Sequence, residues 1–175
     1  MTQQQPVQPV AQLIATTFET YDAPIPWAQA RRRLQDAHDT YWLATTRPDG
    51  TPHIRPVLGV WVDEHLHFVS GSATRKTRHL VARPQVTIAV SADGIDLVVE
   101  GRAERVEDTA ALQRVADAYT AKYGWRATAR NGAFHETEGA PTAGPPPYLV
   151  YRVTPAQVLG FPVGESFSPT RWNPQ

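Results

Sequence analysis

The sequence predicts a mainly β (α+β) fold in which six antiparallel strands form a barrel flanked by a few helices. Short segments rich in β-branched and aromatic residues recur along the chain, separated by turn-forming Asp, Pro and Gly. Few stretches have apolar residues at helical spacing. No unit of about 20 to 50 residues repeats, which argues against solenoids and propellers and favours an antiparallel barrel.

The composition indicates one compact domain preceded by a tail. A chain of 175 residues suits a single core. Residues 1–22 are rich in Gln, Thr and Pro and are interpreted as a tail outside that core, with residues 23–175 as the domain. The first residues contain no basic stretch followed by an apolar run, so a cytoplasmic protein with no membrane partner is expected.

The charges and the lack of cysteine exclude several kinds of function. Lys and Arg number 17, as do Asp and Glu, so no overall field attracts nucleic acid or an anionic membrane. The absence of cysteine removes disulfides, thiolate zinc sites, iron–sulfur clusters and thiol nucleophiles. His65 and His67 share a strand face, but a third ligand is not evident, so no metal site is predicted.

The first half of the domain predicts a short surface helix and a three-stranded meander. Apolar residues recur at helical spacing from Trp27 to Ala37, and Pro26 suits the first turn of such a helix. Turn-forming residues then separate three β-rich segments, which are Tyr41–Thr46, Thr51–Val62 and His65–Ser70.

The second half predicts three more strands, one helix and one long loop. The strands are Val86–Val90, Asp96–Val106 and Tyr148–Val153. Between the last two strands, Asp108 is the expected N-cap and Gly124 the expected C-cap of an amphipathic helix. Residues 126–147 turn to Gly, Ala, Thr and Pro and are interpreted as a loop long enough to cover a site.

The segment Gly71–Leu80 is the candidate for a phosphate site. Ser72 is suited to cap a helix whose first turn contains Arg75 and Lys76. Cations at a helix N-terminus are electrostatically unfavourable unless an anion lies nearby. Free backbone amides, hydroxyls and two cations together are the donors that phosphate oxygens require.

A neighbouring strand offers a third cation. His53, Arg55 and Val57 share one face of the predicted second strand, which places an arginine beside the proposed phosphate site. Pro56 cannot donate to a sheet ladder and therefore leaves backbone groups free to meet a planar ring. We expect Arg55 to complete the set of cations.

These residues resemble the pyridoxamine 5'-phosphate oxidase-like FMN-binding split β-barrel superfamily. The resemblance rests on the hairpin followed by His53–Val57, Phe68–Lys76 and Leu97–Ala103, and it covers roughly residues 27–172. The closing Thr170–Trp172 and the region Val98–Ala103 resemble the branch that uses the deazaflavin F420.

The resemblance implies a six-stranded antiparallel split β-barrel domain, over residues 23–175, that binds F420 or, alternatively, FMN. It also implies a homodimer with cofactor sites at the interface, so that residues late in the chain complete the partner's site. The implied cofactor-binding residues are His53, Arg55, Pro56, Val57, Val69, Ser70, Ser72, Thr74, Arg75, Lys76, Arg171 and Trp172.

The predicted activity is hydride transfer from reduced F420 to an unsaturated bond of a small-molecule substrate, with no catalytic residue assigned. An FMN-dependent oxidoreductase on the same fold is one alternative. A protein that binds flavin or haem without turnover is another. The sequence lacks the C-terminal Arg-x-His motif of true pyridoxamine-phosphate oxidases after its last strand, which argues against oxidation of vitamin B6.

Overall fold

The computed structural model describes residues 8–14, 23–138, 145–163 and 168–173. These residues form three helices, α1 Trp27–Asp36, α2 Arg75–Ala82 and α3 Thr109–Tyr123. They also form eleven strands, which are β1 Val10–Leu13, β2 Tyr41–Thr46, β3 Pro52–Val57, β4 Gly59–Val62, β5 His65–Gly71, β6 Gln85–Ala92, β7 Ile95–Arg105, β8 Arg126–Arg130, β9 Ala133–Glu138, β10 Tyr148–Pro162 and β11 Thr170–Asn173. The mainly β fold with flanking helices is confirmed.

The strands form one antiparallel sheet that does not close on itself. Its main path runs β1-β11-β10-β7-β6-β2-β3, while β5 and β9 also pair with β10. Strand β10 is 15 residues long and pairs with β5 through residues 148–153 and with β7 through residues 151–162. This long strand therefore joins the two parts of the split sheet.

The predicted second strand, Thr51–Val62, is two strands in the structure. Its first part pairs with β2, and its second part, β4, pairs with β5. The chain changes partner next to Gly59, where an added Cβ would lie 2.9 Å from the Tyr41 ring. A residue without a side chain lets the ring approach the backbone here, and this tertiary contact was not evident from β propensity.

The structure also corrects the prediction of a loop over residues 126–147. Residues 126–138 form the hairpin β8–β9, and residues 139–144 lie outside the described part of the chain. Asn131 and Gly132 make the turn with φ angles of 50° and 69°. An Asn-Gly pair between short strands is the usual sequence signal for such a turn.

The predicted surface helix, α1, and the predicted amphipathic helix, α3, are both confirmed. In α1, Trp27, Ala30 and Leu34 are buried. In α3, the Asp108 carboxylate accepts a hydrogen bond of 2.8 Å from the Ala111 amide, and Gly124 ends the helix with a φ of 66°. Among the described helices, none has the length and apolar character needed to cross a bilayer.

Part of the predicted N-terminal tail is paired with the domain. Val10–Leu13 forms β1, which lies at the edge of the sheet and pairs with β11. Three of its four residues are exposed, so the strand extends the sheet but adds little to the core. Residues 1–7 and 15–22 are outside the described ranges.

Buried His67 on β5 predicts a loss of stability in mild acid. Burial lowers its pKa from 6.5 to about 4, and its Nδ1 lies 3.1 Å from the His65 carbonyl oxygen. Between these values the unfolded chain binds a proton that the folded chain does not, so stability falls as the pH drops below 6.5. We expect a loss of about 2 kcal/mol between pH 7 and pH 5 from this group.

Urea unfolding of wild type and His67→Gln at both pH values measures this contribution. The variant should lose its stability more gradually than wild type, because it has no imidazole to protonate at this position. The control is His38→Gln, which replaces an exposed histidine. Its free energy of unfolding should change between pH 7 and pH 5 by the same amount as that of wild type. If His67→Gln lost as much unfolding free energy between pH 7 and pH 5 as wild type, His67 would not be the cause of the loss.

Candidate functional site

The candidate site lies where β5 ends and α2 begins. Thr74 is the N-cap of α2, and its hydroxyl accepts a hydrogen bond from the Thr77 amide at 3.4 Å. The prediction that Ser72 caps this helix was wrong. Both residues are suitable by type, but Thr74 immediately precedes the first helical residue, whereas Ser72 is exposed on the preceding turn.

A network of hydroxyl groups holds the start of α2 against β5. The Ser70 hydroxyl lies 2.8 Å from the Thr74 hydroxyl and 2.7 Å from the Thr77 hydroxyl. Thr77 in turn donates to the Gly71 carbonyl oxygen at 2.9 Å. Ser70 is fully buried and does not line the cavity described next; its hydroxyl links β5 to the first turn of α2.

An open cavity of about 430 Å³ lies beside this helix N-terminus. It is lined by six residues, His53, Arg55, Pro56, Thr74, Arg75 and Lys76. All six belong to the set of cofactor-binding residues predicted from the sequence. The strand β3 and the helix α2, which are separate in the chain, therefore meet around one concave surface.

The cations of this cavity have no acidic partner among the described residues. Within the described ranges, Arg55, Arg75 and Lys76 form no ion pair with a carboxylate. Burial lowers the pKa of Lys76, and the Arg55 charge lowers it further. A bound anion would reverse the second effect by stabilising the charged amine. The cavity is therefore electrostatically prepared for an anion.

A buried polar cluster lies directly behind the cations. The Thr45 hydroxyl is 3.1 Å from Nδ1 of His79 and 3.4 Å from Nδ1 of His53. The two imidazole rings meet edge to face, with centroids 4.9 Å apart. Burial lowers the pKa of both histidines, and neighbouring arginine charges add to the effect. Neutral imidazoles at this depth leave the surface cations as the main positive groups.

Thr45 and His79 were not among the predicted site residues. His79 follows Arg75 by four positions, so the helical spacing places both on one face of α2. His79 could have been predicted as a neighbour of Arg75 from this spacing. Thr45 has no comparable signal, because its position depends on the packing of β2 under α2.

Several predicted site residues lie away from the cavity. Val69 belongs to the apolar cluster under α3, and Val57 is half-buried beside the main core. Arg171 and Trp172 lie on β11, where they pair with Leu159 and Val158 of β10.

The side chain of Trp172 lies inside the core. It is 0% exposed, and its Nε1 donates to the Ile25 carbonyl oxygen at 2.9 Å. The ring is enclosed within this chain and does not line the cavity. Trp172 is a core residue.

The two histidines of β5 do not form a metal site in the described structure. No group of three or more His, Asp or Glu that could hold a metal occurs among the described residues. The Nδ1 atoms of His65 and His67 instead lie 2.5 Å and 3.1 Å from backbone carbonyl oxygens.

The sequence matches the model of a known protein family. A family model described as pyridoxamine 5'-phosphate oxidase matches residues 27–161. No curated protein matches the sequence.

Three solved structures show the same fold at low identity. A conserved hypothetical protein from Mycobacterium tuberculosis has a TM-score of 0.60 and 18% identity over 83% of this chain and 90% of that chain. A heme-binding protein from Mycobacterium smegmatis has a TM-score of 0.59 and 16% identity over 81% and 56% of the two chains. A pyridoxamine 5'-phosphate oxidase-related, FMN-binding protein from Nostoc punctiforme has a TM-score of 0.53 and 20% identity over 83% and 85%.

Proposed function

Because the chain belongs to the pyridoxamine 5'-phosphate oxidase family, we propose that it is an oxidoreductase that holds the phosphate of a flavin-type cofactor in the cavity at the start of α2. One observation supports this above the others. Arg55, Arg75 and Lys76 converge on that cavity from two elements and have no carboxylate partner among the described residues.

The donors of the cavity match the chemistry of an anionic phosphate group. Two guanidinium groups offer planar pairs of N–H donors, and the Lys76 amine adds a third charge. The N-terminus of α2 contributes the positive end of its dipole at the same place. The site therefore suits the phosphate ester of either cofactor better than a neutral ligand.

We propose F420 as the cofactor, on the sequence resemblance of Val98–Ala103 to the F420 branch, and FMN as the second candidate. When bound, either cofactor supplies hydride transfer to or from a small-molecule substrate. The residues of this chain bind and orient: Arg55, Arg75 and Lys76 hold the phosphate, and Pro56, which lines the same cavity, lies beside the ring. No protein nucleophile is required.

The same proposal includes a homodimer with the cofactor site at its interface. Trp42 and Ile54 are 51% and 52% exposed, and they lie on the same face of β2–β3 as Pro56 of the cavity. Exposed apolar side chains of this size on a sheet face are typical of a surface that another chain covers. Light scattering should give the mass of two chains, and the mass of one chain would contradict this part of the proposal.

The experiment that tests the function is equilibrium binding of FMN, F420 and haem, followed by turnover. We expect saturable binding of F420 or FMN with a shifted absorbance spectrum. Reoxidation of the reduced cofactor by an enone or quinone should then be faster with protein than without.

The outcomes separate the candidates. Binding of neither F420 nor FMN would overturn the proposal. Binding of flavin or haem without acceleration across a panel of acceptors would indicate a binding protein instead of an enzyme. The fold shared with the heme-binding protein makes haem a necessary arm of the experiment.

A further inference from the structure

A second cavity lies next to the first and shares Arg75 with it. Its volume is about 300 Å³, and it is bounded by α2 and by the turn between β2 and β3. Its lining residues are Thr46, Pro48, Arg75, Arg78, His79, Ala82 and Arg83. Three arginines and a histidine therefore surround a space that the proposed phosphate site does not use.

Among the described residues, the arginines of this region form no ion pair with a carboxylate, although Asp49 lies near enough to act on Arg47 and His79. In the described part of the chain, Arg47, Arg75, Arg78 and Arg83 have no carboxylate within 4.0 Å. The carboxylate of Asp49 is turned to Thr51, whose amide and hydroxyl donate to it at 2.9 Å and 2.7 Å. The chain as a whole has a net charge of +0, so this concentration of cations is local.

The arginines are also held in place. The Arg83 guanidinium donates to the carbonyl oxygens of Arg47 at 2.8 Å and Pro48 at 3.1 Å. Arg78 donates through Nη1 to the Ala73 carbonyl oxygen at 3.2 Å. Each guanidinium has five N–H groups, so donors remain after these bonds are made. Fixed cations with spare donors bind an anion at a smaller entropic cost than mobile ones.

We propose that this second cavity binds an oxyanion, a phosphate or carboxylate group, through Arg75, Arg78 and Arg83. The shared Arg75 places the two anions side by side, where each relieves the repulsion among the cations of the other site. The oxyanion is either a second anionic group of the same cofactor or a separate anionic ligand. The site rests on its own residues and does not require that the proposed cofactor be correct.

The test is a titration of the full chain with inorganic phosphate at constant ionic strength. Two-dimensional NMR spectra of the backbone amides and the arginine side chains monitor the titration. We expect two groups of shifted signals, one around Lys76 and one around Thr46, Ala82 and Arg78. In Arg78→Ala, the phosphate affinity of the second group should fall about tenfold or more, while the first group is retained.

Three controls make the result decisive. Chloride at equal ionic strength should shift neither group, and Arg32→Ala, an exposed arginine on α1, should titrate like wild type. Arg83→Lys should retain part of the affinity, because it keeps the charge. Equal shifts with chloride, or an Arg78→Ala variant with wild-type affinity in the second group, would overturn the proposal.

Competition identifies the source of the oxyanion. If saturation with F420, which carries carboxylates besides its phosphate, displaces phosphate from both groups of signals, both anions belong to one ligand. FMN has a single phosphate and should displace phosphate from the first group alone. If phosphate still binds the second group in the presence of the cofactor, the second site serves a separate anion. Failure of both cofactors to bind would count against the proposed function, whereas the phosphate titration of the second group would stand independently.

Discussion

The double variant Arg75→Ala, Lys76→Ala is expected to bind its cofactor roughly 10² to 10⁴ times more weakly than wild type. Each side chain is expected to donate a hydrogen bond to a charged phosphate oxygen, and such bonds contribute about 1.5–3 kcal/mol each. Calorimetric titration with F420 and FMN measures the change. The folded state should survive, because Arg75 is exposed and Lys76 is only half-buried.

The matched control for this variant is Arg32→Ala. Arg32 is exposed on α1, and its replacement removes one positive charge outside the lining of the cavity. Its cofactor affinity should equal that of wild type. If the double variant also retains wild-type affinity while its melting temperature is unchanged, the phosphate lies elsewhere and the proposed site is wrong.

Trp172→Ala is expected to lower the free energy of unfolding by about 3–5 kcal/mol, the usual cost of truncating a large buried aromatic residue. The ring is fully buried and lies against Trp27, with centroids 6.0 Å apart. A Cβ added to Gly160 would lie 2.6 Å from it, which shows how tightly the strand β10 passes the ring. Denaturant unfolding of both proteins measures the loss.

Trp172→Phe serves as the graded comparison. It keeps an aromatic ring in the core but loses the hydrogen bond to the Ile25 carbonyl oxygen, so we expect a smaller loss of about 1–2 kcal/mol. A Trp172→Ala protein with wild-type stability and weakened cofactor binding would restore the role in the cofactor site that burial argues against.

The residues around the first cavity were largely predictable, whereas the second cavity was not. His53, Arg55, Thr74, Arg75 and Lys76 lie in two short segments whose composition indicates an anion site. The second cavity depends on Arg83 reaching the carbonyl oxygens of the β2–β3 turn, about 35 residues away in the chain. A contact of that kind leaves no periodic pattern in the sequence.

Local interactions explain what the sequence by itself determined: the ends of α3, set by Asp108 and Gly124, the β2–β3 hairpin, and the cations at the start of α2. Each depends on residues a few positions apart, whose hydrogen bonds and backbone angles are properties of the segment. The tertiary structure alone decided that Thr74 caps α2, because the hydroxyls of Ser70 and Thr77 meet there. It also decided that Trp172 is core, because Trp27, Gly160 and the Ile25 carbonyl oxygen lie against a side chain that looks available in the sequence.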